Sequence, residues 1–233
     1  MCGGKAGTAP VENALKRNAA RLVLKGREAA IIRIALASKY AELFKETRSS
    51  PPRFSERSKL WEFVSLNRIE GRSFDFLEFG VFKGESISAI ATLNPHPNVR
   101  LFGFDSFEGL PRDWMNDFPR GKFTLGGQIP ENRDQRIQFI KGWFDQTLPT
   151  FLSSYVPQDQ LWIHMDADLY GSSMTVLAHL NRYIQPGSLL MFDDFQNLTH
   201  DFKALCDFEE MSDKRFELIS ATVNCRQAAF VCR

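Results

Sequence analysis

The chain contains 233 residues, of which 43% are hydrophobic and 24% are charged, and its formal net charge is +1. These values are typical of a soluble globular protein of one domain with an extension, and no stretch is long and apolar enough for a membrane span. Residues 1–72 contain 15 Lys and Arg against 7 Asp and Glu, whereas the remainder contains 14 against 21. The basic part could contact an anionic substrate or membrane surface, or cover the acidic remainder of its own chain or of a partner subunit.

The cysteine pattern and the chain start indicate a reducing compartment. Four cysteines form neither a C-x-x-C pair nor a zinc-ligand spacing: Cys2, Cys206, Cys225 and Cys232. Three of them lie in apolar C-terminal segments, where a thiol packs as a small hydrophobic group. The first ten residues have no apolar run, so no signal peptide is expected. We therefore predict a reduced, cytoplasmic protein.

The N-terminal region, residues 1–72, is predicted to be a helical extension or cap before the main domain of residues 73–233. Residues 11–46 have helical apolar spacing in two pieces, and Ser58–Asn67 form a further helix. Between them, Ser49–Phe54 contain two prolines and predict a linker or loop. The apolar face of the extension needs a partner, because the sheet described below has its own helices. We expect a homo-oligomer, such as a dimer, formed through these helices, or a cap over the active site.

A strand, a glycine turn and a helix then follow in the order typical of a Rossmann-like α/β fold. Phe74–Phe79 is an apolar run typical of a buried strand, and Glu85–Leu93 has the spacing of an amphipathic helix. In such sheets, ligands bind beyond the carboxyl ends of the strands. The turn has the pattern Glu78-x-Gly80-x-x-x-Gly84, which lacks the G-x-G-x-x-G spacing of a dinucleotide site. A carboxylate at this place repels phosphate and suits an ammonium group.

This acid-first glycine turn resembles the first motif of class I S-adenosylmethionine (AdoMet) methyltransferases. In that family the acid faces the methionine amino group or a water molecule next to it. The resemblance implies donor contacts at the turn and at the start of the following helix, from Glu78, Gly80, Gly84 and Ser86. Taken alone, the pattern also fits an ordinary βα turn with an acidic helix entry.

The next two predicted strands add nucleoside-binding positions. Val99–Phe104 ends at Asp105 and Ser106. An acid there can accept hydrogen bonds from both ribose hydroxyls, in NAD sites and AdoMet sites alike. Alternatively, Asp105 caps the turn that follows. The third strand, Ile137–Lys141, leads to Trp143, which we expect near the adenine or packed under the next helix.

Residues 112–135 form a long loop between these two strands. Loops of this length in compact domains are usually functional or mobile. Its apolar side chains have no periodic face: Trp114, Met115, Phe118 and Phe123. They either line an acceptor pocket at this end of the sheet or form a plain surface excursion.

Four aspartates follow the two next buried strands, Leu161–Met165 and Ser188–Phe192: Asp166, Asp168, Asp193 and Asp194. If the first strand stays extended, Asp166 and Asp168 point the same way. Because both strand ends lie at the carboxyl edge of the sheet, we expect all four acids at the active site. An all-oxygen cluster is typical of magnesium or calcium.

We predict that Asp166, Asp193 and Asp194 bind the metal, that Asp166 also contacts the donor, and that Asp168 is the general base. The metal would bind adjacent substrate oxygens and lower the pKa of a hydroxyl. The adjacent pair Asp193 and Asp194 needs a kink to face one ion. The alternative is that single acids cap the following helices.

The C-terminal segments predict an antiparallel hairpin. Arg215–Val223 and Gln227–Cys232 are apolar strands joined by a short turn. Such a terminal hairpin distinguishes a methyltransferase sheet from an all-parallel dinucleotide-binding sheet.

Five segments in this order resemble the macrocin O-methyltransferase (TylF/MycF-like) family: FLEFGVFKGESI, FGFDSFEGLP, KGWFDQTLP, MDADLYGSS and PGSLLMFDDF. The resemblance extends from about Phe74 to about Asp194. It implies a class I methyltransferase fold, AdoMet as donor, magnesium dependence and methylation of sugar hydroxyls on natural products. In that family the metal ligands are the first Asp of D-x-D and the D-D pair, which correspond to Asp166, Asp193 and Asp194.

One departure from the family concerns the base. Macrolide-modifying members carry a histidine after the second strand that assists deprotonation, and this chain has no histidine between His96 and His164. The departure favours Asp168 as the base and argues against a macrolide-sugar acceptor.

Together these features predict an AdoMet-dependent O-methyltransferase that acts, with magnesium, on a hydroxyl of a small molecule such as a sugar or natural product. Glu78 would bind the methionine end and Asp105 the ribose. One alternative is a metal-independent methyltransferase of the same fold, and another is a non-catalytic nucleoside-binding or oligomerising protein. The missing G-x-G-x-x-G argues against a dehydrogenase, and the acidic catalytic edge argues against nucleic acid as substrate.

Overall fold

The computed structural model describes residues 27–45, 50–69, 71–114 and 117–233. Most of the first predicted helical piece lies outside these residues, as does Met115 of the predicted acceptor pocket. Residues 27–43 are helical and are named α1, in agreement with the prediction for this part of the extension.

Eight strands follow within the described residues: β1 Arg53–Phe54, β2 Asp75–Phe79, β3 Arg100–Asp105, β4 Ile137–Lys141, β5 Leu161–Met165, β6 Leu189–Phe192, β7 Phe216–Thr222 and β8 Ala228–Cys232. They form a single sheet in the order β1-β7-β8-β6-β5-β2-β3-β4. Strands β2 to β6 are parallel, whereas β8 is antiparallel to both of its neighbours, β6 and β7. The predicted Rossmann-like sheet with a C-terminal antiparallel hairpin is thereby confirmed.

Helices cover both faces of the sheet, which is why its central strands are continuous apolar runs. The remaining helices are α2 Arg57–Val64, which continues into a π-helical turn Ser65–Ile69, α3 Glu85–Leu93, α4 Phe144–Leu152, α5 Tyr170–Leu180 and α6 Asp201–Met211. One face packs against α2 and α3, and the other against α4, α5 and α6. Helix α4 is the helix expected after Trp143, and it contains Pro149, which cannot donate a helical hydrogen bond.

The predicted linker Ser49–Phe54 is wrong at its end, because Arg53 and Phe54 form an edge strand that pairs in parallel with β7. The two prolines before it do not prevent this, since an edge residue can contribute its carbonyl alone. The oxygen of Pro52 accepts hydrogen bonds from the Ser220 hydroxyl and the Ala221 amide. The chain is thereby anchored to the sheet directly before α2.

The rest of the extension divides into two differently packed parts. Residues 54–69 share a buried cluster with β2 and α3, so this part is integrated with the sheet. Helix α1 contacts the opposite face through Leu36 and Tyr40, and Phe44, directly after the helix, packs there as well. Its residues Ile31 and Ile34 are 65% and 70% exposed. The predicted boundary at residue 72 stays a prediction.

Two sequence-based expectations about the chain as a whole can be compared with the described residues. None of the helices found there is long and apolar enough to cross a membrane. Cys206, Cys225 and Cys232 are all free thiols.

Candidate active site

A cavity of about 810 Å³ opens at the carboxyl ends of β2, β3, β5 and β6, the edge at which the sequence predicts the active site. Its volume is within the range of small-molecule sites. Most of the predicted site residues line its wall: Gly80, Asp105, Ser106, Trp143, Asp166, Asp168, Asp193 and Asp194. Glu78, Gly84 and Ser86 do not line it.

The glycine turn brings the end of β2 against the end of β5. A Cβ atom at Gly80 would lie 1.9 Å from the backbone oxygen of Asp166, and the φ angle of Gly80 is +94°. Only glycine satisfies both conditions, and its missing side chain lets the two strand ends lie against each other at the wall of the cavity. Gly84 also has a positive φ, +76°, directly before α3, but a Cβ there would make only ordinary contacts.

Glu78 is fully buried on β2 and pairs with His164 on β5. The Nδ1 atom of His164 lies 2.8 Å from Glu78 Oε1. Glu78 Oε2 and His164 Nε2 have no hydrogen-bond partner among the described residues. A buried polar atom without a partner is costly, so a donor group of a ligand next to Oε2 would be stabilised. The contact of Glu78 with a methionine amino group stays a prediction, and the unpartnered Oε2 atom is consistent with it.

Asp105 is engaged by the backbone of its own chain. Its Oδ2 accepts hydrogen bonds from the amides of Val81 and Phe82, each at 2.8 Å, and Oδ1 accepts from the amide of Phe107 at 2.7 Å. The expected turn cap after β3 is therefore present, and the same carboxylate also fixes the glycine turn. Asp105 still lines the cavity, and its role in ribose binding stays a prediction.

Three carboxylates converge at the ends of β5 and β6. One oxygen each of Asp166, Asp168 and Asp194 lies within 4.8 Å of the other two. Asp168 has a left-handed backbone, with φ of +59°. The chain therefore does not stay extended as far as Asp168, and a turn brings Asp168 beside Asp166.

Asp193, a predicted metal ligand, lies beside this group and not in it. Asp193 is on the same side of the sheet as Leu189 and Met191, which is the side covered by α2. Its Oδ2 is 3.8 Å from Arg57 Nη1. Strand alternation separates it from Asp194, as the predicted need for a kink implies. Its Oδ1 is buried and has no hydrogen-bond partner among the described residues.

Burial and mutual repulsion raise the pKa values of the three converging carboxyls. Burial is the main cause of a pKa of Asp166 well above its ordinary value, followed by the charges of Asp193 and Asp168. Burial, followed by the charge of Asp194, raises the pKa of Asp168 to about 8. Burial also raises the pKa of Asp194, against the opposing effect of Arg226. A cation among these oxygens would offset the repulsion, and the all-oxygen set fits magnesium or calcium.

The sequence analysis missed two arginines that contact the acids. Arg226, in the β7–β8 turn, donates from Nε to Asp194 Oδ1 over 2.9 Å, and Arg57 lies beside Asp193. Both line the cavity. The predicted hairpin could have indicated Arg226, because a strand antiparallel to β6 begins at the edge where β6 ends. No pattern in the sequence could have placed Arg57 at the site, since its position depends on strand β1, which was not predicted.

A fifth carboxylate, Asp201, lies near the cluster at the first residue of α6 and is 1% exposed. It accepts a hydrogen bond from the Ser173 hydroxyl at 2.8 Å. Burial raises the pKa of Asp201 to about 7; the Ser173 hydrogen bond opposes this, and the charge of Asp194 adds to it. The sequence analysis had no signal for this residue beyond its place at a helix start.

Aromatic rings form a wall of the cavity that begins in the glycine turn and continues into the long loop. Phe82, Phe123, Phe118 and Trp114 line it in succession, with neighbouring ring centroids 5.8, 5.7 and 5.0 Å apart. The long loop therefore lines a pocket, and the alternative of a plain surface excursion is wrong for these residues.

Residues 129–225 match the model of a protein family described as Macrocin-O-methyltransferase (TylF). The chain is 26% identical over 188 residues to mycinamicin III 3''-O-methyltransferase of Micromonospora griseorubida, over 69% of this chain and 71% of that protein. It is 27% identical over 180 residues to demethyldecarbamoylnovobiocin O-methyltransferase of Streptomyces niveus, over 68% of this chain and 66% of that protein. It spans about two thirds of the length of these relatives.

Two solved structures have a similar fold. The O-methyltransferase NovP superposes with a TM-score of 0.59 at 22% identity, over 75% of this chain and 78% of NovP. The calicheamicin methyltransferase CalS11 gives a TM-score of 0.58 at 20% identity, over 75% of this chain and 77% of CalS11. The fold predicted from the motifs is confirmed, and the sequence matches confirm the family resemblance and the enzyme class that it implies, an AdoMet-dependent O-methyltransferase.

Proposed function

We propose that this chain, which is related to the macrocin O-methyltransferase (TylF) family, methylates a hydroxyl group of a sugar or sugar-bearing natural product with AdoMet and magnesium. The observation that carries the proposal is the convergence of Asp166, Asp168 and Asp194 in a cavity that the glycine turn also lines. This arrangement brings an acidic, metal-compatible group next to the predicted donor site.

The donor would lie between the glycine turn and Trp143. Gly80 lines the cavity at this place, and Glu78, two residues before it, has the unpartnered oxygen that supports this place for the methionine end. Asp105 and Ser106, farther along the same wall, would contact the ribose. The acids of the wall also favour a sulfonium cation by simple charge attraction.

The acceptor would lie against the aromatic wall. A pocket lined by apolar rings with a few polar groups is typical of sites for small organic molecules. Ser172, Thr175 and Gln196 supply such polar groups, and all three line the same cavity. A sugar hydroxyl on a larger apolar body fits this combination.

Asp166 and Asp194, which converge, would hold magnesium, and Asp193, the third predicted ligand, would have to turn from Arg57 to join them. Asp168 would accept the proton of the acceptor hydroxyl. Bound magnesium would supply positive charge that lowers the pKa of a hydroxyl beside it. The place of Asp168 beside Asp166 and Asp194 suits it to accept a proton from a hydroxyl held there. Arg226 would hold Asp194 in place through its hydrogen bond.

The proposal extends to a reduced, cytoplasmic protein that forms a dimer through its N-terminal helices. The free thiols and the exposed isoleucines of α1 support these two points. Light scattering coupled to size exclusion would measure the mass, and a monomer at micromolar concentration would contradict the dimer.

The reaction is tested by measuring S-adenosylhomocysteine formation over a panel of hydroxylated sugars, glycosides and polyketides. We expect turnover with magnesium and its loss after chelation with EDTA. Full turnover in EDTA would favour the metal-independent alternative. AdoMet binding without turnover on the whole panel would favour the non-catalytic one.

A further inference from the structure

Arg57 is a cation of the cavity wall whose hydrogen-bonding capacity is not used by the described residues. Its guanidinium lies 3.8 Å from Asp193 Oδ2 and 3.8 Å from Glu85 Oε2, distances too long for hydrogen bonds. It lies 5.1 Å from the ring of Trp61, which holds it by a cation–π contact. The side chain is 42% exposed.

The position of Arg57 relates it to the glycine turn. Glu85 is the first residue of α3 and follows Gly84 directly, and Asp193 follows β6. Arg57 therefore spans from the end of the turn to the acidic strand ends. The other two arginines of the wall are placed differently, because Arg226 is bonded to Asp194 and Arg112 belongs to the loop of the aromatic wall.

The chemistry of the donor gives Arg57 a partner. The methionine end of AdoMet carries an ammonium group and a carboxylate side by side. The ammonium suits the acids near the turn, whereas those acids repel the carboxylate. A guanidinium has a fork of donors that matches a carboxylate, and stacking on Trp61 holds this fork at the turn.

We propose that Arg57 binds the α-carboxylate of the donor, so that helix α2, which precedes β2, completes the donor site. This inference rests on the proposed function, since it presumes AdoMet as the ligand. The competing explanation is that Arg57 only balances the charges of Asp193 and Glu85.

The test compares two ligands and four proteins by calorimetric titration without magnesium. The ligands are AdoMet and decarboxylated AdoMet, which keeps the ammonium and sulfonium charges but lacks the carboxylate. The proteins are the wild type, Arg57→Gln, Arg57→Lys and Lys59→Gln. Lys59 is on the same helix, exposed and paired with Glu62, so its replacement controls for the loss of one positive charge.

We expect Arg57→Gln to weaken AdoMet binding at least about tenfold, the usual effect of losing a charged hydrogen-bonded pair. The same variant should bind decarboxylated AdoMet as tightly as the wild type or more tightly, because the cavity has become more negative. Arg57→Lys keeps the positive charge but not the forked pair of donors. Its affinity for AdoMet should lie between those of the wild type and Arg57→Gln. Lys59→Gln should change neither affinity by more than about twofold.

Equal changes for both ligands in Arg57→Gln would overturn the assignment, since a charge-balancing or structural role does not distinguish them. Unchanged or tighter AdoMet binding in that variant would overturn it as well. A wild type that binds neither ligand would instead remove the proposed function. If Arg57→Gln does not fold, the same ligand comparison on Arg57→Lys decides, because unequal weakening is still required.

Discussion

Acidic residues at one edge of the sheet occur in two contrasting environments. At the end of β3, Asp105 accepts three backbone amides and has the partners that a carboxylate needs. At the ends of β5 and β6, Asp166, Asp168 and Asp194 lie mainly against one another. The first environment stabilises the fold without a ligand, and the second leaves charge that a ligand can neutralise.

The contrast separates an acid whose partners the chain supplies from acids that lie against one another, which sequence position alone does not do. Both kinds follow buried strands, and both line the same cavity. What differs is the donors that the chain supplies: three backbone amides to Asp105, and the guanidinium of Arg226 to Asp194. Sites that bind ligands commonly keep groups that are unfavourable until the ligand arrives, at some cost in stability.

The largest expected effect tests the functional side of this contrast. Asp168→Asn should lower turnover by about 10² to 10⁴-fold, as the loss of a general base does. Asparagine tolerates the left-handed backbone of Asp168, so the fold should be preserved. The measurements are S-adenosylhomocysteine formation and, as a control for the donor site, AdoMet affinity. Turnover within threefold of the wild type would remove Asp168 as the base.

The second prediction concerns the close approach that joins the two environments. Gly80→Ala should destabilise the protein by more than about 3 kcal/mol, because its Cβ would meet the Asp166 oxygen and its φ is positive. Gly121→Ala is the matched control, with φ of +80° and nothing within 4 Å, and should cost about 1 kcal/mol. Urea unfolding measures both. Equal losses of stability for the two variants would mean that the close approach of the strand ends at Gly80 does not add to the cost of the substitution.

The third prediction compares the two environments directly. Asp105→Asn should destabilise the protein by about 2 kcal/mol, because a charged acceptor of three amides becomes a neutral one. Asp166→Asn should leave the metal-free protein as stable or make it more stable, since a buried repulsion is removed. Urea unfolding in EDTA gives both values. A larger loss of unfolding free energy for Asp166→Asn than for Asp105→Asn would contradict the contrast between the two environments.

The smallest predicted effect is on the pH dependence of stability. The pKa of Asp201 is raised to about 7 in the folded protein. Its contribution to the free energy of unfolding is therefore favourable at a pH below its ordinary pKa and is lost as the pH rises through about 7. The melting temperature in EDTA should therefore fall between pH 5 and pH 8.5. Asp201→Asn should reduce this fall by a few degrees, and Asp213→Asn, which is exposed, should not. Identical pH profiles for Asp201→Asn and the wild type would contradict this.

The sequence indicated the succession of the central strands along the chain and the edge that carries the candidate site, because both depend on local patterns. Buried runs such as Leu161–Met165 and the glycines of the turn determine their own structure with little help from distant residues. The acids that follow such runs necessarily reach the carboxyl edge. The hairpin was predicted for the same reason.

The partners within the site could not be predicted, because each depends on a feature outside its own segment. Asp168 joins Asp166 through a left-handed residue, and Asp193 meets Arg57 because a two-residue edge strand positions α2. The pairing of Glu78 with His164 follows from the register of β2 and β5. Register and edge pairing are set by the whole sheet and leave no short pattern in the sequence.

The central claim, that this cavity is built for AdoMet, is tested most directly by calorimetric titration of the wild-type protein with AdoMet and with NAD, each with and without magnesium. We predict AdoMet binding with a 1:1 stoichiometry and no NAD binding. The absence of AdoMet binding under every condition would contradict the claim, and Glu78 and Asp105 would then be structural acids only.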